Sequence, residues 1–130
     1  MKLSSKTHYG LICCHVLGRS NEPVSAKKLE SLTGISGKYL ERIMRTLASR
    51  NIVSANRGVS GGYYLARDTK DITVGEIVRA LEDDMRIIEC VTKDGACKCC
   101  PSQKVWQKLY EGINELLDSM TLKQMIDGEL

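Results

Sequence analysis

Hydrophobic and polar residues follow one another in the first half of the chain in an order that predicts short amphipathic helices. Three segments share the same beginning: an apolar residue, a hydroxyl residue, and a second apolar residue four positions further on. The three hydroxyl residues are Ser25, Ser36 and Thr73. A hydroxyl group in this place accepts from free N–H groups of the first helical turn, and the flanking apolar residues pack together. We therefore predict helices over about 25–32, 36–50 and 73–84.

Further elements complete the first half of the chain. Ser4 or Ser5 is placed to begin an earlier helix that runs to about Arg19. Two β-prone stretches, 52–55 and 63–66, flank a glycine-rich loop and predict a hairpin. A glycine-containing turn between the second and third helices is typical of a helix-turn-helix.

The C-terminal part is predicted to begin with a break in regular structure and to continue as one long helix. We expect a loop over 85–100 and a last helix from Pro101 to about Met125, since proline suits a first helical turn. Its apolar residues step by 4, 4, 3 and 4 positions, at Val105, Leu109, Ile113, Leu116 and Met120. This stripe can pack on its own chain or on a second copy; the small remaining core favours a homodimer.

The predicted fold class is mainly α with a small β-hairpin wing: a winged helix-turn-helix followed by a long C-terminal dimerisation helix. We expect a DNA-binding domain over 1–84, a cysteine-rich sensor loop over 85–101, and a dimerisation helix and tail over 102–130. A chain of 130 residues suits one such functional unit.

Charge is distributed unevenly along the chain. Residues 1–67 hold 11 Lys and Arg against 3 Asp and Glu, whereas residues 68–130 hold 8 against 13. The first half therefore carries the field that attracts a polyanion such as nucleic acid. The sequence shows neither a secretory signal nor an apolar run of about 18 residues, so we expect a cytoplasmic protein without a membrane partner.

Candidate DNA-binding residues cluster on the third predicted helix and on the wing. An α-helix fits the major groove, and the second helix of a helix-turn-helix is the one usually inserted. A glycine-flexed cation in the wing can approach a phosphate or a narrow minor groove. Any single cation here has surface solvation as its alternative. The candidates are Ser36, Lys38, Tyr39, Glu41, Arg42, Arg45, Arg57 and Gly58.

Four cysteines, Cys90, Cys97, Cys99 and Cys100, fall within eleven residues. In a reducing compartment such a group favours metal, cluster or redox chemistry over structural disulfides. Thiolates hold iron–sulfur clusters, and a helix that begins after Cys100 is expected to lower the pKa of that thiol. Zinc coordination and a reversible disulfide remain alternatives, although the spacing differs from paired zinc-ribbon motifs.

Two strings, Ser36–Ile43 (SGKYLERI) and Asn51–Leu65 (NIVSANRGVSGGYYL), closely resemble the winged-helix transcription regulators that include IscR, NsrR and CymR. Leu3–Tyr9, Thr73–Ile77 and Trp106 are similar to that family as well. The resemblance implies a homodimer that reads a two-fold-related operator in double-stranded DNA. It also implies that Glu41 reads a base and that Arg57 enters the minor groove.

The same resemblance implies three cysteine ligands for a 2Fe-2S or 4Fe-4S cluster. Alignment on Trp106 places them at Cys90, Cys97 and Cys100, with Cys99 as the alternative to Cys100. Some members of the family carry a histidine where this chain has Gln103. Other members imply a ligand from the first helix of the second subunit, at the position of His8 here.

These features predict a DNA-binding regulator, most simply a repressor, whose operator affinity depends on an iron–sulfur cluster. Two alternatives remain: a metal-free regulator that senses oxidants through thiols, and a winged-helix module that binds a partner protein. The sequence contains no strand-linked Cys-x-x-Cys motif, nucleotide-binding loop or Ser-His-Asp set, so we do not expect an enzyme. Cys13 and Cys14 lie within the first helix, and at least one is expected in the core.

Overall fold

The computed structural model describes residues 2–88, 91–92, 95–96 and 100–130. Within these ranges the chain forms six helices and two antiparallel strand pairs. In chain order they are α1 (Ser5–Gly18), α2 (Ala26–Thr33), α3 (Gly37–Ser49), β1 (Val53–Asn56), β2 (Gly62–Leu65), α4 (Val74–Leu81), β3 (Val91–Thr92), β4 (Gly95–Ala96), α5 (Gln103–Ser119) and α6 (Leu122–Asp127). The fold is the expected winged helix-turn-helix, mainly α with a β-hairpin. None of the described helices has the length and apolar character needed to cross a bilayer.

Hydroxyl caps begin three of the helices in the first two thirds of the chain. Ser4 and Ser25 each accept a hydrogen bond from the backbone N–H three residues later, at 3.3 and 3.1 Å. Thr73 accepts from the N–H of Glu76 at 3.1 Å, and the Glu76 carboxylate accepts from the N–H of Thr73 at 3.0 Å. This reciprocal pair is a capping box. The prediction that the Thr73 hydroxyl caps the start of α4 is therefore confirmed.

The turn between α2 and α3 differs in one respect from the expectation. Gly34 ends α2 with a left-handed φ of 73°, and its N–H donates to the carbonyl of Glu30 at 2.9 Å. Ser36 occupies the N-cap position of α3, but its hydroxyl makes no capping hydrogen bond. The predicted hydroxyl cap of α3 is therefore wrong, and the Ser36 side chain is left exposed to solvent.

The wing is a hairpin extended by a short contact with the segment before α2. β1 and β2 pair antiparallel, with Val53 opposite Leu65. Val24 and Tyr63 exchange two backbone hydrogen bonds of 2.8 Å, which ties the hairpin to the start of α2. Gly62 is required at this crossing, because a Cβ there would lie 2.5 Å from the Val24 carbonyl oxygen.

The core forms around α1, which contacts α2, α3, β2, α4 and α6. Apolar burial of this kind is the main stabilising contribution to a small domain. The fully buried side chains come from five of the six helices and from the segment before α4, namely Cys13, Cys14, Leu29, Leu40, Ile43, Met44, Leu47, Ile72, Ile77 and Leu122.

The last predicted helix is interrupted, so its expected extent to about Met125 is wrong. The chain leaves the helical conformation at Met120, with ψ of 122°, and Thr121 begins α6 with its own capping box. Backbone hydrogen bonds of 2.8 Å join Val74 N to Met120 O and Leu122 N to Ile72 O. Because Leu122 is fully buried, α6 belongs to the same core as α1.

Helix α5 is attached to α4 through polar contacts. Arg79 donates to the Asn114 side chain at 3.2 Å and forms an ion pair with Asp118. A Cβ on Gly75 would collide with the Asp118 carboxylate, so the two helices approach closely. The region expected as a loop contains the short β3–β4 pair, which also lies against α5.

A carboxylate joins the end of α4 to the start of α1. One oxygen of Glu82 accepts from Ser4 N at 2.6 Å, from Ser4 Oγ at 2.9 Å and from Thr7 Oγ1 at 2.5 Å. Partial burial acts to raise the pKa of Glu82, but the hydrogen bonds from Thr7 and Ser4 outweigh it and lower the pKa. Helix α4 ends at Leu81 instead of about Asp84, with Glu82 as its C-cap.

Candidate nucleic-acid interface and cysteine site

Helix α3 has one apolar face and one polar face. Leu40, Ile43, Met44 and Leu47 are fully buried in the core. The positions between them must therefore face outward, because a helix turns by about 100° per residue. The predicted DNA-contacting residues of α3 occupy this outer side.

Six predicted side chains line one open cleft of about 410 Å³ along α3, namely Ser36, Lys38, Tyr39, Glu41, Arg42 and Arg45. Five of the six are exposed, and Tyr39 is half-buried. Tyr39 packs edge-on against Tyr9 of α1, with ring centroids 5.7 Å apart. Tyr39 therefore shares the cleft and also anchors α3 to α1.

Glu41 and Arg45 form an ion pair on this outer face, with an N–O distance of 3.0 Å. Both side chains are largely exposed, so the pair contributes little to stability. Its effect is on the surface: the guanidinium offsets the only carboxylate among the residues that line the cleft.

The wing presents Arg57 and Gly58 at its tip, both exposed. Gly58 has φ of 105°, which disfavours any other residue. The N–H of Gly61 donates to the Gly58 carbonyl at 3.0 Å, and a Cβ on Gly61 would collide with the Asn56 carbonyl oxygen. The glycines therefore form a tight turn that holds Arg57 on a defined backbone.

Arg67 is a structural residue of this region that the sequence analysis did not identify. Its guanidinium donates to the Asn51 carbonyl at 3.1 Å, to the Asp71 carbonyl at 3.1 Å and to the Glu76 carboxylate at 2.7 Å. Burial acts to raise the pKa of Glu76, but hydrogen bonds from Thr73 and Arg67 lower it. Arg67 thus joins the end of α3, the wing and the start of α4; no local sequence motif indicates this role.

Residues 85–101, the cysteine-rich loop of the sequence analysis, are called the cysteine segment. Of the predicted cluster ligands in it, only Cys100 is described. Its sulfur lies 3.3 Å from Ser102 Oγ, which also accepts from the Trp106 indole N–H at 2.9 Å. Hydrogen bonds from the side chain and backbone of Ser102 lower the pKa of Cys100. This thiol is therefore more thiolate-like than an ordinary cysteine at neutral pH.

The other cysteine positions, Cys90, Cys97 and Cys99, lie outside the described residues. His8 is exposed on α1, and its ring lies 5.6 Å from that of Tyr9. Within residues 2–88 and 100–130, no group of three His, Cys, Asp or Glu side chains is arranged to hold a metal ion. The ligand set therefore stays a prediction.

Cys13 and Cys14 are fully buried in α1, in agreement with the expectation of a core position. Burial raises the pKa of Cys13 to about 11. Burial and the neighbouring Cys13 raise the pKa of Cys14 as well. Both thiols therefore stay protonated and unreactive at neutral pH.

Comparison with known proteins places this architecture in a family. A family model described as iron-dependent transcriptional regulator (Rrf2) matches residues 3–128. The chain belongs to the Rrf2 family. Like the other members, it is a DNA-binding transcriptional regulator and not an enzyme.

Rrf2 relatives match over nearly the full chain. Protein rrf2 of Nitratidesulfovibrio vulgaris is 31% identical over 131 residues, covering 97% of this chain and 87% of that protein. The solved structure of T. potens IscR is 34% identical with a TM-score of 0.80, covering 100% of this chain and 89% of that one. The structure of CymR (YrzC), the global cysteine regulator of B. subtilis, is 29% identical with a TM-score of 0.82, covering 98% and 97%.

The contrast between Cys100 and the buried cysteines predicts selective alkylation. In metal-free, reduced protein at neutral pH, iodoacetamide is expected to modify Cys100 before Cys13 and Cys14, as followed by mass spectrometry of peptides. The substitution Ser102→Ala removes a hydrogen bond that stabilises the thiolate, so the pH–rate curve of Cys100 shifts to higher pH. An unchanged curve would show that Ser102 does not tune this thiol.

Proposed function

We propose that α3 enters the major groove of an operator, that the wing enters the adjacent minor groove, and that binding represses transcription. The observation that carries this proposal is the outer face of α3, where an exposed lysine and two arginines flank a single carboxylate. A helix of this kind, following a helix-turn-helix and preceding a wing, matches the docking geometry of major-groove readers.

The side chains of α3 divide into two roles. Lys38, Arg42 and Arg45 supply cations to phosphates, which fix position but carry no sequence information. Glu41 accepts from the exocyclic amine of cytosine, the contact that suits a carboxylate in the major groove. Ser36, whose hydroxyl makes no cap hydrogen bond, is free to donate to a base or a phosphate.

The wing supplies the minor-groove contact. Arg57 is exposed beside Gly58, whose missing side chain lets the backbone approach the duplex closely. A cation placed in this way is attracted by the enhanced negative potential of a narrow, A·T-rich minor groove.

Two substitutions on α3 are expected to have different effects on DNA binding. Lys38→Ala removes a phosphate contact, so affinity falls for all sequences and the salt slope decreases by about one unit. Glu41→Gln changes the preference at one base pair by about 1–3 kcal/mol. Fluorescence anisotropy with a duplex selected from a random pool measures both effects.

The exposed Lys70, which lies away from the cleft of α3, provides the control as Lys70→Ala. A sequence-dependent effect of Lys38→Ala, or a uniform effect of Glu41→Gln, would reverse the two assignments.

The same proposal includes a homodimer formed through α5. Val105, Leu109 and Leu116 are 61%, 45% and 62% exposed, and they line an open trough of about 600 Å³ with Ile113. The opposite side of α5 is attached to α4 through Arg79. A second copy of α5 would remove the apolar stripe from water and place two recognition helices on one duplex.

The substitution Leu116→Glu is expected to weaken the dimer. Each subunit would bury one added carboxylate, so the dimer dissociation constant rises by at least about tenfold. Sedimentation equilibrium measures this change, and Glu115→Gln on the neighbouring exposed position is the control. A monomer in the wild type would contradict the dimer, whereas an unchanged dimer in Leu116→Glu would place the interface elsewhere.

The proposal also includes an iron–sulfur cluster that is bound by the cysteine segment and controls operator binding. Cys90, Cys97 and Cys100 (or Cys99 in place of Cys100) would be its ligands, with His8 of the partner subunit as a fourth. The donor chemistry fits at Cys100, the one described ligand position in the cysteine segment, because this thiol has a lowered pKa. When bound, such a cluster supplies redox and small-molecule reactivity.

Contacts within the chain connect the cysteine segment to helix α3, the proposed DNA-binding helix. The cysteine segment follows Glu82, which holds the start of α1, and α1 contacts α3 through Tyr9 and Tyr39. A change in the segment would therefore act on elements that position α3.

Iron and sulfide analysis after anaerobic purification tests the cluster. We expect visible absorption with iron and sulfide in equal amounts, and their loss in Cys100→Ser or, if the adjacent thiol is the ligand, in Cys99→Ser. Cys13→Ser is the matched control, because that thiol is buried in the core. Colourless protein after reconstitution would favour a thiol sensor, which the lowered pKa of Cys100 also supports.

A further inference from the structure

A second cleft, of about 360 Å³, lies between the start of α1 and the middle of α3. Its lining residues are Lys6, Tyr39, Arg42, Arg45 and Thr46. The last four belong to α3, and three of them also line the cleft described above. The basic surface of α3 therefore continues onto α1 through a single added cation, Lys6.

Two of the three cations that line this cleft, Lys6 and Arg42, form no ion pair among the described residues. The third, Arg45, pairs with Glu41 outside this cleft. The charge of Lys6 contributes to the lowered pKa of Glu82. The Oε1 atom of that carboxylate already accepts hydrogen bonds from Ser4 and Thr7. Cations that share one small cleft repel each other, and an anion that enters the cleft lowers their electrostatic energy.

Polar hydrogen-bonding groups surround the same cleft. The Tyr39 ring is fixed by its edge-on contact with Tyr9, and its hydroxyl makes no hydrogen bond among the described residues. Thr46 Oγ1 donates to the Arg42 carbonyl at 3.1 Å, which orients that part of α3. An anion in the cleft would therefore meet Lys6 and Arg42 together with the Tyr39 hydroxyl, the kinds of group that commonly bind a phosphate.

We propose that Lys6, Arg42 and Tyr39 form a seat for one phosphodiester of the DNA backbone. This inference rests on the proposed DNA binding by α3, because the seat is continuous with that face. A duplex phosphate fits an open, shallow cleft, since the rest of the duplex covers the surface around it. Lys6 would thereby anchor α1 to the duplex and fix the angle at which α3 enters the groove.

The test compares Lys6→Gln with the wild type on a duplex that the wild type selects from a random pool. Loss of one phosphate contact is expected to weaken binding about tenfold at low salt and to reduce the salt slope by about 0.9. Lys6→Arg retains the charge and is expected to keep most of the affinity. Lys70→Gln is the matched control, and thermal melting checks that each variant is folded.

Neutral methylphosphonates locate the contact on the duplex. When single phosphates are replaced in turn, one position is expected to weaken binding by the wild type more than binding by Lys6→Gln, which has already lost one of the contacts to that phosphate. If Lys6→Gln loses affinity for inorganic phosphate but keeps full affinity for the duplex, the cleft binds a free anion and the proposal is wrong.

Equal affinity and equal salt slope in wild type and Lys6→Gln would overturn the seat alone. A wild type that selects no duplex would instead overturn the proposed function on which the seat rests.

Discussion

Burial of one face of α3 is the constraint on which the rest of the structure depends. Leu40, Ile43, Met44 and Leu47 can leave water only against the core formed around α1, and this fixes the rotation of α3 about its axis. The polar face is then directed to solvent without any separate stabilising interaction. The position of the proposed DNA-binding surface is therefore a consequence of apolar packing.

Two polar junctions keep the elements around this core in place. Arg67 joins the turn after α3 to the start of α4 by donating to two backbone carbonyls and one carboxylate. Glu82 joins the end of α4 to the first turn of α1. Both junctions meet at α4, which also contacts α5 through Arg79. Helix α4 thus connects the proposed DNA-binding half, the cysteine segment and the proposed dimer helix.

Some features could be predicted because their causes are local. The caps at Ser25 and Thr73 depend on residues three positions apart, and the alternation of apolar and polar positions in α3 depends on the helical period. The break before α6 also has a local signal, the capping box of Thr121 and Gln124, but the apolar stripe of α5 concealed it. The contacts of Arg67 and Glu82 join residues distant in sequence, so no short pattern reveals them.

The sequence by itself determined the helix-turn-helix with its wing, the basic character of the first half and the grouping of four cysteines, because each follows from composition or from neighbouring residues. Only the tertiary structure decided that the Ser36 hydroxyl makes no capping hydrogen bond, that α6 packs against α1, and that Lys6 shares a cleft with Arg42. These features arise from contacts between distant segments. Such contacts depend on how helices pack in three dimensions, which a one-dimensional pattern does not record.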